Sequence, residues 1–85
     1  MSKIKTKSYV AVIVAYHPNL DHLIKMTNEL LDTNIRVVIY DNTPESDGYK
    51  NSCFNNERVH ILANGINDGL GRAFNSSIQF LELNS

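Results

Sequence analysis

The chain has 85 residues, 42% of them hydrophobic, and its formal net charge at pH 7 is -1. This composition is typical of a globular chain with a modest core and argues against disorder. The basic residues number 8 and the acidic ones 9, with no basic stripe, so we do not expect a nucleic-acid partner.

The cysteine content and the first residues indicate a cytoplasmic protein. Cys53 is the single cysteine, so an internal disulfide is impossible and a reducing compartment fits best. The basic N-terminus is followed by an apolar run of only about eight residues that lacks the small-residue cleavage site of a signal peptide. It is also far below the ~20 residues that span a bilayer. We interpret the run as a buried strand and expect residues 1–8 to be disordered or frayed.

The first half of the chain predicts a strand, a helix and a second strand. YVAVIVAY, residues 9–16, is apolar at both odd and even positions, which is typical of a strand covered on both faces. After Pro18, Asn19 is a suitable N-cap for a helix. The apolar face of this helix is predicted to consist of Leu20, Leu23, Ile24, Thr27, Leu30 and Leu31. IRVVIY, residues 35–40, forms the second strand.

The second half begins with a polar crossover and ends in a helix. Residues 42–57 are predicted to be irregular, with one short helix near residues 49–54. RVHILA, residues 58–63, is the third strand, and the glycine-rich stretch NGINDGLGRAFN, residues 64–75, follows it. The apolar face of the last helix is predicted to consist of Leu70, Ala73, Phe74, Ser77, Ile78 and Leu81.

This alternation predicts an α/β fold with a parallel sheet. Right-handed crossovers give the strand order 3-2-1, with helices on both faces. The last helix would then cross to the other face and lead to a fourth strand beside the first, and these 85 residues contain no such strand. We therefore expect the incomplete N-terminal half of a three-layer, Rossmann-like domain.

Three polar segments are expected to meet at one edge of this sheet. Ligands of open α/β sheets bind at the carboxyl ends of the strands, here the turn at residues 16–18, the pair Asp41-Asn42 and the loop from Asn64. The carboxylate of Asp41 only accepts hydrogen bonds, so it could select the N3–H group of uracil or thymine, or bind ribose hydroxyls. The alternative for Asp41 is an ordinary Asx-turn.

The glycine-rich stretch has two interpretations. Gly69 and Gly71 begin a G-x-G pattern, but Phe74 occupies the third glycine position and the stretch follows the third strand, so it is not a dinucleotide fingerprint. Free N–H groups at the start of the helix could still bind a phosphate, assisted by Arg72. The alternative is that Asp68 caps the helix and the glycines permit a tight turn. The three histidines lack metal-ligand spacing and are interpreted as structural or solvated.

Three segments of the chain resemble the N-terminal part of family 2 glycosyltransferases with the GT-A fold, in particular the rhamnosyltransferase-like members. They are VAVIVAYHPNLDHL, VVIYDNT and residues 67–75, which fit the family pattern N-x-G-x-x-x-A-x-N. The resemblance covers nearly all of residues 9–83. It implies that residues 9–85 are part of a nucleotide-diphospho-sugar transferase domain. Such enzymes transfer a sugar from a UDP- or dTDP-type donor to acceptors that include surface polysaccharides and glycolipids.

The same resemblance implies which residues bind the nucleotide. They are Ala15, Tyr16, Asp41, Gly69 and Asn75, with Asp41 on the base. Ala15 departs from the polar residue that the family often has before the tyrosine. The complete family domain also holds a divalent metal, Mn or Mg, on an Asp-x-Asp motif, and it has a catalytic base. These 85 residues contain neither, so we expect no catalytic or metal-binding residue here and no turnover by this chain alone.

Two other interpretations follow from the residues. A non-catalytic α/β module could self-associate through its open sheet edge. A receiver or flavodoxin-type domain is less favoured, because a receiver needs acidic residues after its first strand and residues 16–18 supply none. For the complete glycosyltransferase, a cytoplasmic location includes the option of peripheral attachment to the inner membrane. The sequence does not specify the sugar, the base or the acceptor.

Overall fold

The computed structural model describes residues 9–46, 54 and 56–83 of the chain. In chain order the elements are β1 (Val10–Ala15), α1 (Leu20–Leu31), β2 (Arg36–Asp41), β3 (Val59–Ala63) and α2 (Gly69–Leu83). Type and order of all five elements agree with the sequence-based prediction. The frayed segment predicted for residues 1–8 lies outside the described residues, as does the short helix near residues 49–54 apart from Phe54.

The three strands form a parallel sheet in the order β1-β2-β3, which confirms the predicted α/β class and strand direction. In the register, Val38 of the central strand lies opposite Val12 on one side and His60 on the other. Every residue of β2 after Arg36 is buried, because this strand has neighbours on both edges and helices over both faces.

Helix α1 covers one face of the sheet. Its start is fixed as predicted, since Asn19 Oδ1 accepts a 3.1 Å hydrogen bond from the backbone N–H of His22. The apolar stripe of α1 packs on alternate residues of β1 and β2. The resulting core cluster consists of Ala15, Leu23, Leu31, Val37 and Ile39.

Helix α2 packs against β1 and β2 on the side to which the Tyr40 ring points. Only Ala73 and Ser77 of α2 are buried, and the Ser77 hydroxyl donates a 2.8 Å hydrogen bond to the Ala73 carbonyl. The apolar face predicted for this helix is therefore too wide. Small side chains make the contact, so a narrow stripe of the helix reaches the sheet, and three large residues of the predicted face are exposed: Leu70, Phe74 and Ile78. Among the described residues, no helix is long and apolar enough to cross a membrane.

Candidate functional site

The carboxyl ends of β1 and β2 lie side by side and are joined by two backbone contacts. Ala15 pairs with Asp41 in the register, and the N–H of Asn42 donates a 2.7 Å hydrogen bond to the Ala15 carbonyl. Beyond the strand ends, the N–H of His17 donates a 2.7 Å hydrogen bond to the Thr43 hydroxyl. The turns that follow the two strands are thus held together, as the predicted convergence requires.

These two turns enclose an open cleft of about 450 Å³. This volume lies in the range of small-molecule sites, ~300–1,000 Å³. The cleft is lined by residues from the turns after β1 and β2 and from the first turn of α1: His17, Pro18, Leu20, Asp41, Thr43, Pro44, Glu45 and Ser46. It therefore sits where an open α/β sheet presents its ligand site.

Asp41 is the buried acid of this cleft, with its side chain 1% exposed. Its Oδ1 accepts a 2.9 Å hydrogen bond from the N–H of Thr43, and its Oδ2 accepts a short one from the Ser46 hydroxyl. The first contact is an Asx-turn, so the turn chemistry considered for Asp41 is present. A nucleobase would have to share the carboxylate with these donors, and recognition of a base by Asp41 stays a prediction.

Two residues that line the cleft have left-handed backbone conformations that are uncommon outside glycine. The φ angle is 45° at His17 and 62° at Glu45. Such conformations cost of order 1–3 kcal/mol and concentrate at functional sites, where the surrounding contacts enforce them. At His17 the bond to Thr43 supplies one such contact, and at Glu45 the N–H donates a 2.7 Å hydrogen bond to the Gly65 carbonyl.

Asn42 connects this cleft to the start of α2. Its side chain is 4% exposed, and Nδ2 donates a 3.3 Å hydrogen bond to the carbonyl of Gly69. Its Oδ1 is buried without a hydrogen-bond partner among the described residues. From the sequence, Asn42 was expected at the end of the second strand, without a role of its own. The available signal was its position directly after a continuous apolar strand, where an amide is expected to be buried and to need partners.

A second polar cluster, formed by Tyr40, Asn64 and Asp68, ties β2 to the loop before α2. The Tyr40 hydroxyl donates to Asp68 Oδ2 at 2.8 Å, and Asn64 Nδ2 lies 2.9 Å from the Tyr40 oxygen and 3.1 Å from the same Asp68 oxygen. Asp68 therefore does not act as the helix cap considered from the sequence. Its carboxylate turns toward the β2 tyrosine, and Asn67 Oδ1 instead accepts a 3.1 Å hydrogen bond from the N–H of Gly69.

Burial and the hydrogen bond between the two side chains shift the pKa values of Tyr40 and Asp68 in opposite directions. Burial, and then the hydrogen bond to Asp68, raise the pKa of the Tyr40 hydroxyl. The hydrogen bond from Tyr40 is the largest cause that lowers the pKa of the Asp68 carboxyl. At neutral pH the pair is therefore a neutral phenol that donates to a carboxylate.

Of the five predicted nucleotide-binding residues, Asp41 lines the cleft and the other four do not. Ala15 and Asp41 are paired, and Gly69, with φ at 85°, is joined to them through Asn42. Tyr16 is 57% exposed and lines a neighbouring pocket against α1. Its ring packs edge-on against that of His17, with the ring centroids 4.4 Å apart. Asn75 does not line the cleft.

The orientation of Asn75 follows from helix geometry. It comes two residues after the buried Ala73, and this spacing turns it about 200° around the helix axis. It is therefore exposed on the side of α2 that faces away from the sheet. A part for Asn75 in nucleotide binding stays a prediction.

Metal binding is not supported by the residues described in ranges 9–46 and 56–83 together with Phe54. They contain no group of three or more His, Cys, Asp or Glu side chains that could hold an ion.

Comparison with known proteins gives one informative similarity. The chain is 36% identical over 70 residues to the dTDP-rhamnosyl transferase RfbF of Shigella flexneri. The aligned part covers 82% of this chain and 23% of that protein. No family model matches the chain, and no solved structure matches it. The similarity indicates a glycosyltransferase-like segment that spans about a quarter of the length of this relative.

Proposed function

We propose that the chain is the nucleotide-binding part of a family 2 glycosyltransferase with the GT-A fold, and that it binds the UDP or dTDP part of a sugar donor. The similarity to a dTDP-rhamnosyl transferase is the observation that carries this proposal. The cleft at the carboxyl ends of β1 and β2 supports it, because its position and volume suit a nucleoside.

The side chains predict which bases bind. Uracil and thymine present an N3–H donor to the Asp41 carboxylate, whereas cytosine presents an acceptor at N3 and would repel it. The exposed ring of Tyr16 offers a surface on which the base can stack, a contact worth about 1–3 kcal/mol per base in comparable sites.

Sugar transfer is proposed for the whole protein and not for this chain alone. The relative is more than four times as long as its aligned segment, so most of its residues have no counterpart among the aligned ones. A divalent metal, Mn or Mg, would neutralise the diphosphate in the complete domain. Transfer to a surface polysaccharide or glycolipid acceptor, in the cytoplasm or at the inner membrane, belongs to the same proposal.

Isothermal titration of the 85-residue chain with dTDP, UDP and CDP tests the binding site. We expect dTDP and UDP to bind, and CDP to bind at least about tenfold more weakly, because one lost hydrogen bond to a charged group costs ~1.5–3 kcal/mol. Asp41→Ala should remove the preference for dTDP over CDP. Glu29→Ala changes an exposed acid in the second half of α1 and should leave all three affinities unchanged.

A second variant separates base recognition from folding. Asp41 also holds its own turn, so Asp41→Ala can weaken the fold, whereas Tyr16 is exposed and its replacement should not. Tyr16→Ala should weaken dTDP and UDP about tenfold through lost stacking. Equal affinity for all three nucleotides, or full dTDP affinity in both variants, would show that the base is not read at this cleft.

A further inference from the structure

Two hydrogen bonds anchor the end of β1 on the turn after β2. The Ala15 carbonyl accepts a 2.7 Å hydrogen bond from the N–H of Asn42, and the N–H of His17 donates a 2.7 Å hydrogen bond to the Thr43 hydroxyl. The first bond joins two backbone groups, so it does not depend on a particular side chain. The second bond depends on the Thr43 side chain, because it needs an acceptor atom at that position.

The bond to Thr43 is made by a residue whose backbone conformation needs support. His17 has φ at 45°, in the left-handed region that residues with a Cβ atom rarely adopt. His17 is also exposed, so burial of its side chain does not enforce this conformation. The hydrogen bond from its N–H is therefore a main restraint on the turn after β1.

Thr43 is itself held by the acid of the cleft. Its N–H donates a 2.9 Å hydrogen bond to Asp41 Oδ1, and its carbonyl accepts a 3.1 Å hydrogen bond from the N–H of Ser46. Thr43 is half-buried, between the buried Asp41 and the exposed His17. One residue thus connects the carboxylate at the end of β2 to the backbone of the turn after β1, and both of these groups line the cleft.

We propose that Thr43 is a positioning residue of the nucleotide site, whose hydroxyl holds the turn after β1 in the conformation that receives the nucleoside beside Asp41. This role rests on the proposed function. It differs from the role of Asp41, because Thr43 acts through the backbone of His17 and not through a contact with the base. The bond is present without a ligand, so binding does not have to order the turn.

Removal of the hydroxyl should weaken nucleotide binding. Valine has nearly the shape of threonine but offers no acceptor, so Thr43→Val leaves the His17 N–H without this partner. The turn then leaves the left-handed conformation in a larger fraction of molecules, and the apparent affinity falls with the fraction that stays competent to bind. One lost hydrogen bond of ordinary strength corresponds to a change of about fivefold. Thr43→Ser keeps the hydroxyl and should keep the affinity.

Isothermal titration with dTDP compares the unsubstituted chain, Thr43→Val and Thr43→Ser. The matched control is Thr33→Val, which removes a hydroxyl that donates a 2.7 Å hydrogen bond to the Leu30 carbonyl, at the end of α1 away from the cleft. We expect the dTDP affinity to fall about fivefold in Thr43→Val and to be unchanged in Thr43→Ser and Thr33→Val. Amide hydrogen exchange without dTDP reports the bond itself, and the His17 amide should exchange faster in Thr43→Val alone.

A second substitution separates positioning from direct contact with the ligand. Glycine adopts a positive φ without strain, so the turn of the His17→Gly chain depends less on the Thr43 hydroxyl. Thr43→Val should therefore weaken dTDP binding less in the His17→Gly background than in the unsubstituted chain, which is a non-additive result. Equal weakening in both backgrounds would show that the hydroxyl contacts the ligand directly, and it would overturn the positioning role.

Failure of the positioning role and failure of the proposed function give different results. Full dTDP affinity in Thr43→Val, or equal losses in Thr43→Val and Thr43→Ser, would overturn the positioning role while the unsubstituted chain still binds dTDP. Urea denaturation measures the folded fraction of each variant, and a loss of affinity in Thr43→Val that unfolding accounts for would overturn it as well. An unsubstituted chain that does not bind dTDP would overturn the proposed function, and the positioning role with it.

Discussion

The hydroxyl of Tyr40 donates a 2.8 Å hydrogen bond to Asp68 Oδ2, and this contact joins the central strand to the loop that leads into α2. The two residues are separated by 28 positions in the sequence. The Tyr40 side chain is 1% exposed, so its hydroxyl needs a partner inside the protein. The contact therefore fixes the start of α2 relative to the carboxyl end of β2, where the candidate site lies.

Removing the hydroxyl should destabilise the fold with little change in packing. We expect Tyr40→Phe to lower the free energy of unfolding by about 1 kcal/mol, because a part-buried hydrogen bond of the Tyr40 hydroxyl is lost. Urea denaturation measures the change. Tyr9→Phe is the matched control, since Tyr9 is 63% exposed and should cost almost nothing. Equal effects of the two substitutions would contradict the structural role of the Tyr40 hydroxyl.

The same variant should change the acid dependence of stability. Folding lowers the pKa of the Asp68 carboxyl below its ordinary 3.8, so the ionised form stabilises the fold above that pH. This contribution is lost as the pH falls through 3.8 toward the folded pKa. In Tyr40→Phe the main cause of the lowered Asp68 pKa is gone. The difference in free energy of unfolding between this variant and the unsubstituted chain should therefore shrink as the pH falls from about 5 to about 3. A constant gap across that range would contradict the assignment.

The two glycines at the start of α2 should respond to alanine in opposite directions. Gly69 has φ at 85°, so Gly69→Ala should destabilise by about 1–2 kcal/mol despite the open space around its Cβ position. Gly71 lies within the helix with a negative φ, and nothing lies within 4 Å of its Cβ position. Gly71→Ala should therefore stabilise by up to about 1 kcal/mol. Thermal unfolding of both variants measures this, and changes of the same sign would contradict the described start of α2.

His60 should make the fold less stable in mild acid. Arg36 Nη2 lies 3.2 Å from His60 Nε2, and since a guanidinium only donates, that ring nitrogen must accept. Burial, and then the Arg36 charge, lower the pKa of His60 below its ordinary 6.5. His60 therefore takes up a proton at a higher pH in the unfolded chain than in the folded chain. The free energy of unfolding falls as the pH drops through 6.5 toward the folded pKa.

His60→Gln is the informative variant for this effect. The amide oxygen of glutamine can accept the bond from Arg36 and does not titrate. The free energy of unfolding at about pH 7.5 and about pH 5.5 should differ more in the parent than in His60→Gln. His22→Gln serves as the control, because this histidine is exposed on α1. An unchanged pH dependence in His60→Gln would contradict the lowered pKa.

Periodicity and turn chemistry predicted the elements of this fold because each signal is local. The continuous apolar strands, the Asn19 cap and Gly69 at the start of α2 determine their own segments. The width of the apolar face of α2 could not be predicted, because it depends on how closely the helix lies on β1 and β2. The convergence of Asp41 with the turn after β1 followed from topology alone.

The side-chain contacts of the site are long-range and were not predictable in the same way. Asn42 is hydrogen-bonded to Gly69, and Tyr40 to Asp68, each across more than 25 positions of the sequence. A local sequence pattern therefore does not predict these partners. The sequence showed only that a tyrosine and an amide at the end of a buried strand would each need one. Capping by Asp68, one of the two interpretations of the glycine-rich stretch, is not observed, although capping is the local option for an acid before a helix.

Chemical-shift perturbation by dTDP in ¹⁵N-labelled protein tests the central claim most directly. If the cleft after β1 and β2 is the nucleotide site, the amide signals of His17, Asp41, Thr43 and Ser46 should shift with one saturable binding curve. Signals of Ser76, Gln79 and Leu83, around the cavity between α2 and β3, should stay in place. Shifts centred on that cavity, or no saturable shift with excess dTDP, would contradict the account.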